Sequence, residues 1–251
     1  MKTTIAAAPL WSQLTGRGFV VCMAFCVSVL LMTGCADQPV SNAESIAEPM
    51  VNPTTAIENM ARLTGKATIQ VVTNRGSITV ELYGDEAPVT AGNFVDLVQR
   101  KVYDGTVFHR VVRDPEPFVV QGGDPMSKDA SVPASMLGRG SFIDSDTGNA
   151  RYIPLEILPE GETTPVYGQT LRNVLPELKH TRGAIAMARS QAPDSASAQF
   201  YFTLADLSFL DGNYAVFGYV TEGMDVVDAI QQGDKIESIR VIDGLDSFSA
   251  P

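Results

Sequence analysis

From about residue 66 onward the chain reads as short runs in which apolar and polar side chains alternate, the period-2 pattern of half-buried strands. Residues 67–73 and 77–83 alternate in this way around Asn74-Arg75-Gly76, which predicts a hairpin. The spacing then changes to three and four. Over 89–101, Phe94, Leu97 and Val98 share one face behind Pro88, which predicts a helix that Tyr103-Asp104-Gly105 ends. Strands are predicted again at 106–112 and 118–121. Residues 122–182 are rich in Gly and Pro and irregular, broken by the short run 152–158. Further strands are expected at 183–188, 199–204 and 214–220, with an Asp211-Gly212-Asn213 turn before the last of these. A second helix over 222–232 turns Met224, Val227 and Ile230 inward and stops at Gly233, ahead of a final strand at 235–242. Many short strands with two isolated helices predict a closed antiparallel barrel with helices over its ends.

Ahead of this pattern lies a different composition. The first 35 residues carry only Lys2 and Arg17 as charges, then the apolar run 19–32, then Thr33-Gly34-Cys35. That order marks a secretory signal. Leu31-Met32-Thr33-Gly34-Cys35 resembles a bacterial lipobox, which implies a lipidated Cys35 at the mature N-terminus and a membrane anchor. The alternative is an uncleaved signal anchor, for which the apolar run is short. Residues 36–65, rich in Ala, Glu, Ser, Asn, Thr and Pro, read as a flexible tether, and 66–245 as one domain. All three cysteines, Cys22, Cys26 and Cys35, fall in the leader, so the folded part has no disulfide, thiol nucleophile or thiolate metal site. Loss of Lys2 and Arg17 would move the formal charge from −11 to −13, and so acidic a surface argues against nucleic acid as a partner.

The candidate chemistry concentrates in 108–124, Phe-His-Arg-Val-Val-Arg-Asp-Pro-Glu-Pro-Phe-Val-Val-Gln-Gly-Gly-Asp. Alternation sends Val119 and Gln121 to one face, Arg110 can share it from the neighbouring run, and Phe118 can close its edge. A permanent cation beside an apolar platform and a neutral amide holds neither a nucleophile nor an acid–base pair. Such a site suits chemistry in which no bond is broken, and rotation about an X–Pro peptide bond leads that class.

Six segments together carry a family resemblance: 108–112, 118–124, Leu178-Lys179-His180-Thr181, Ser197-Ala198-Gln199-Phe200-Tyr201-Phe202, Phe209-Leu210-Asp211-Gly212 and Ala215-Val216-Phe217-Gly218. Singly each is a weak pattern. In this order the chain resembles a cyclophilin-type peptidyl-prolyl cis-trans isomerase over about 66–242. The resemblance implies a mainly β fold, a closed antiparallel eight-stranded barrel capped by two helices. It also implies a monomer that acts on proline-containing polypeptides without metal or cofactor; the leader places it away from the cytoplasm, and the long 122–182 stretch, which resembles forms from photosynthetic bacteria, leaves periplasm and thylakoid lumen both open.

Site residues follow from the same resemblance. Arg110 takes the catalytic position, and Gln121 and Gln199 the places of amides that hydrogen-bond the substrate backbone. Phe118, Val119 and Leu210 map to the floor of a proline pocket, and Tyr201 to a second aromatic wall where phenylalanine is frequent. Ala188 and Arg189 match backbone contacts at the groove, Arg189 standing for a common asparagine. Gly138 matches a loop glycine lining a second pocket. Phe209 stands where eukaryotic members often have tryptophan, and Tyr214 where they have histidine. An absent indole donor implies weak cyclosporin binding.

Relative to shorter members, insertions fall at 113–117, expected to bulge outward, and around 158–176. Val119, smaller than the methionine common there, and the five residues before Phe118 keep a second reading open: a chaperone or assembly factor that holds proline segments without turnover. A metal-dependent hydrolase is set aside. His109 and His180 are far apart in sequence with no third ligand, and His109 is expected on the opposite face from Arg110 as a hydrogen-bonded structural residue. Ser190, Ser195 and Ser197 lack a nucleophile-elbow setting. The loop 144–149 departs from a calcium loop in its glycine and in Leu155 at the closing position.

Overall fold

The computed structural model describes residues 57–251; the leader, Cys35 and the tether up to residue 56 lie outside the described residues. Eight strands form one antiparallel sheet: β1 (Lys66–Thr73), β2 (Gly76–Tyr83), β3 (Arg110–Val112), β4 (Val119–Gly122), β5 (Ala184–Met187), β6 (Phe200–Thr203), β7 (Val216–Glu222) and β8 (Ile236–Asp243). Their order across the sheet is β8-β1-β2-β7-β5-β6-β4-β3. The β1–β2 hairpin pairs Thr73 with Gly76 across the two residues Asn74 and Arg75. Its alternation is realised in full, with Ile69, Val71, Ile78, Val80 and Leu82 all buried.

The sheet is a curled, open half-barrel rather than the closed barrel expected. Its edges, β3 and β8, share no ladder. The run 106–112, anticipated as one strand, divides instead. Residues 110–112 pair with β4, while the lead-in residues meet the lead-in to β8 through one bridge, Val107 to Lys235. The N–H of Phe108 donates to Asp234 O at 2.8 Å and that of Ile236 to Thr106 O at 2.8 Å. Asp234 beside them is held down to about 2 by its hydrogen bond from Arg75, a charged tie between this seam and the hairpin turn.

Two helices pack on the sheet. The first, α1 (Pro88–Gln99), is buried from Val89 to Val98, with Phe94 against Tyr103, Phe200 and Phe217 at centroid distances of 4.9, 5.3 and 5.2 Å. Its N-terminus has no local side-chain cap. Glu156, fully inside the fold, fills that role from the irregular region: its carboxylate accepts from the N–H of Val89 at 3.0 Å and of Thr90 at 2.6 Å. Burial raises the Glu156 pKa against the pull of those bonds. The second helix, α2 (Met224–Ala229), is shorter than the 222–232 expected. Strand β7 continues to Glu222, and Gly223 then turns with φ of +84°, where a Cβ would strike the Ser77 carbonyl. Among the described residues no helix is long and apolar enough to cross a membrane.

The folded region exceeds the expected 66–245 at both ends. Arg62–Leu63 pairs with Phe248–Ser249, and Leu63 is fully buried. The stretch 122–182 is also more ordered than its composition suggests. Glu156–Ile157 pairs with Val166–Tyr167, and the bridge Pro159 to Pro176 closes the base of the 158–176 insertion into a short two-stranded arm. The 113–117 insertion does lie outward: residues 114–117 are exposed, and the hairpin closes behind them through the Phe118 N–H to Val112 O at 3.0 Å. Arg113 ties that bulge to α2 by donating to the carbonyls of Val227 and Asp228.

Candidate functional site

Register places the chemistry. Arg110 lies opposite Gln121, Gln121 opposite Tyr201, and Tyr201 opposite Ala186, so one row crosses β3, β4, β6 and β5. Residues directly opposite in an antiparallel ladder point to the same face. The other face of these strands, with Val120, Phe202 and Ile185, joins the main core. This face carries the smaller cluster of Val119, Ala184, Ala186, Tyr201, Leu207 and Val216, with Phe118, Leu210 and Tyr214 packed against it.

On that cluster sits a hollow of about 300 Å³ lined by Arg110, Phe118, Val119, Gln121, Ala188, Arg189, Tyr201, Leu210 and Tyr214. All nine are residues that the sequence singled out. The Arg110 guanidinium is exposed, 5.5 Å from the centre of the Phe118 ring, and a long 3.4 Å contact joins its Nη1 to Oε1 of Gln121. Phe209 lies outside the lining but stacks on Phe118 at 6.0 Å, with 68% of its surface exposed.

A chain of amides leads from this hollow to a second. Nε2 of Gln121 donates to Oε1 of Gln199 at 3.2 Å, and Nε2 of Gln199 to the Gly140 carbonyl at 2.9 Å. Beyond them opens a cavity of about 370 Å³ that shares Gln121, Ala188 and Arg189 with the first and adds Gly138, Arg139, Gly140, Tyr152, Gln199 and four serines. One buried carboxylate shapes its rim. Asp124 accepts from the N–H of Gly138 at 2.6 Å, of Gly140 at 3.3 Å and of Met126 at 2.9 Å. A Cβ on Gly140 would collide with that carboxylate, and Gly138 holds φ of +87°.

The wall of the first hollow is anchored from behind. Tyr201 is buried, and its hydroxyl lies 3.0 Å from Nε2 of His180, whose Nδ1 lies 2.8 Å from Oδ1 of Asp211. With the neutral imidazole protonated at Nδ1, His180 donates to Asp211 and accepts from Tyr201. Burial lowers the His180 pKa, which Asp211 opposes, and burial raises that of Tyr201. Tyr214 meets the Tyr201 ring edge-on at 6.1 Å, and the Arg189 guanidinium lies 4.7 Å over Tyr214. Arg189 is itself tied down, donating to the carbonyls of Asn213, Ser190 and Gln191.

The structure thus gathers Arg110, Gln121 and every substrate-binding candidate but Phe209 along two adjoining hollows that share Gln121, Ala188 and Arg189, with Gly138 and Gln199 at the second. Sequence reasoning did not assign Asp124, His180, Asp211, Arg139 or Tyr152 to it. Asp124, His180 and Asp211 stood inside the family segments, and that was their only signal; Arg139 and Tyr152 lie in the irregular stretch. His109 differs from expectation: neither ring nitrogen has a hydrogen-bond partner, and the ring sits beneath Gly138, where burial lowers its pKa.

Comparisons with known proteins bear on the family and the fold. The profile described as cyclophilin type peptidyl-prolyl cis-trans isomerase/CLD matches residues 68–244. A Synechocystis sp. protein that bears the name of a thylakoid lumen peptidyl-prolyl cis-trans isomerase is 43% identical over 204 residues, 76% of this chain and 50% of that protein. A chloroplastic peptidyl-prolyl cis-trans isomerase of Arabidopsis thaliana is 40% identical over 217 residues, 77% of this chain and 46% of its own length. The chain therefore spans about half of either relative. Among solved structures, a Cryptosporidium parvum cyclophilin superposes with a TM-score of 0.54 at 25% identity, covering 71% of this chain and 98% of that one. Its crystal form in the presence of the dipeptide Ala-Pro gives 0.53 at 26% identity, with coverage of 70% and 99%.

Proposed function

The chain belongs to the cyclophilin-type peptidyl-prolyl cis-trans isomerase family, and from that premise we propose that it accelerates X–Pro bond rotation in exported polypeptides through Arg110. The observation that carries the reading is the Arg110 guanidinium lining a hollow of about 300 Å³ beside Phe118, Val119 and Leu210, an apolar patch on which a pyrrolidine ring can rest. The barrier is conjugation. An amide must leave planarity at a cost of ~18–20 kcal/mol, and X–Pro bonds left alone take roughly tens to hundreds of seconds. With the proline ring on Phe118, Val119, Leu210 and Tyr201, Arg110 donates to the prolyl amide and opposes conjugation through its nitrogen. Gln121 and Gln199 hold the flanking backbone while Ala188 and Arg189 line its path. Each ~1.36 kcal/mol gained only in the twisted state is a tenfold rate. No bond is made or broken, so the site needs no nucleophile.

The domain organisation belongs to the same proposal: a signal ending at Cys35, a lipid anchor there, a tether, and a monomeric domain beyond the membrane. Support comes from the leader's composition and from relatives named for the thylakoid lumen and chloroplast. The site is tested in a protease-coupled proline-peptide assay of the full chain beside Arg110→Ala. Catalysis lost in the variant supports the enzyme; saturable peptide binding without wild-type catalysis identifies a proline-holding chaperone instead. Mass spectrometry of the mature N-terminus tests the anchor, and an unmodified Cys35 removes it.

A further inference from the structure

Building on the proposed isomerase reading, we infer that the groove selects prolines flanked by an acidic side chain, and that Arg139 is the residue that reads that charge. The two hollows are lined by three guanidiniums, Arg110, Arg139 and Arg189, and by no carboxylate. The chain around them has a formal net charge of −11. Arg75, Arg100, Arg151 and Arg182 are each matched by an aspartate; among the described residues the three groove arginines, like Arg62, Arg113, Arg172 and Arg240 outside the groove, are in no ion pair, and the three are the ones gathered in a concavity. A protein with a surplus of acid has left this one concavity uncompensated.

The three cations are not equivalent. Arg189 spends its donors on the carbonyls of Asn213, Ser190 and Gln191, so it contributes positive potential but few free N–H groups. Arg110 belongs to the prolyl amide. Arg139 is exposed at the second cavity and makes no hydrogen bond or ion pair among the described residues. Its backbone is nonetheless fixed, because Asp124 grips the amides on either side of it, at Gly138 and Gly140. A fixed base with a free planar fork suits a carboxylate arriving from outside. Of the hydroxyls beside it, Ser190 donates to Ser195, Ser195 to the Ala192 carbonyl and Ser141 to Tyr152, while Ser197 accepts from the N–H of Phe142. The net acidity of the chain opposes an anionic client at a distance. Beyond about 10 Å at 0.1 M salt that repulsion is largely screened, whereas a direct contact with Arg139, well inside that length, is weakened by salt but keeps its sign.

The test uses the full chain and proline peptides carrying Glu, Gln or Lys in turn at each of the positions flanking proline. Both kcat/KM and the Kd of fluorescent versions are read. At one position the order Glu, Gln, Lys is expected, with about threefold between neighbours at low salt, as for an exposed pair, narrowing as salt rises. Arg139→Gln should abolish the Glu-to-Gln ratio and Arg139→Glu should invert the order. The inference is overturned if wild type treats all three side chains alike at every position, or if the order survives in Arg139→Glu. Absence of turnover on every peptide defeats the isomerase reading alone; the charge order is then decided in Kd, where a flat result defeats this inference too.

Discussion

The two halves of the groove are built by different means. The first hollow rests on ladders: Arg110, Gln121 and Tyr201 stand abreast on β3, β4 and β6, each placed by strand register. The second cavity is built largely from loops, and its rim is held by a single buried carboxylate, Asp124, that accepts three backbone N–H groups. In the first half, position is distributed over many weak bonds and no one side chain decides it. In the second, position depends on one residue, while the chemistry at the rim, Arg139 above all, is free to differ without disturbing the sheet.

That contrast can be broken in four places. Arg110→Ala should have the largest effect, lowering kcat/KM about 100-fold, the order of loss for one preorganised donor to a transition state. Its exposed position limits the cost in stability to about 0.5 kcal/mol. A thermal scan run beside the kinetics checks both, and a parallel loss of Tm would mean that the arginine holds the fold. Arg110→Lys should not restore the rate, lacking the planar fork.

Asp124→Ala comes next. It strands the amides of Met126, Gly138 and Gly140, at a cost of about 2 kcal/mol in urea unfolding. Discrimination among flanking residues should suffer more than turnover of a minimal Ala-Pro peptide. Equal loss of both would show that the halves are not separable.

His180→Gln probes the strand-built half from behind. At neutral pH it should cost about 1 kcal/mol by loosening Tyr201. Because burial lowers the His180 pKa, the unfolded chain takes up that proton more readily than the folded one. The stability His180 contributes is therefore whole above the unfolded value of about 6.5 and is lost as pH falls through the lower folded value. Urea midpoints at about pH 7.5 and about pH 5.5 should fall further for wild type than for the variant. The same slope in both would place the titration elsewhere.

The smallest effect concerns Phe209, whose ring covers Phe118 but offers no donor. Phe209→Trp should tighten cyclosporin about threefold to tenfold, the worth of one hydrogen bond, as read by calorimetry. An unchanged affinity would show that a donor at position 209 does not govern cyclosporin binding here.

Alternation along residues 67–83, 118–121 and 199–204 was enough to read the strands and the sidedness of Val119 and Gln121, because strand geometry converts every second residue into one face. The ends of elements were less legible. Helix α2 begins two residues late because Gly223 passes too close to the Ser77 carbonyl for any other residue, a contact between segments far apart in the chain. The run 106–112 divides because its first half finds partners in 233–236, and the seam between sheet edges stays open.

What the amino-acid order determined by itself was local: which residues lie on a strand face, where turns interrupt it, and that a cation, an aromatic and an amide share one side. Tertiary structure alone decided which distant groups complete that side. Glu156 finds the N-terminus of α1, Asp124 finds the amides around Arg139, and His180 finds Tyr201 and Asp211. A hydrogen bond across many residues leaves no periodicity in the sequence, because its geometry is set only once the chain between the partners has folded.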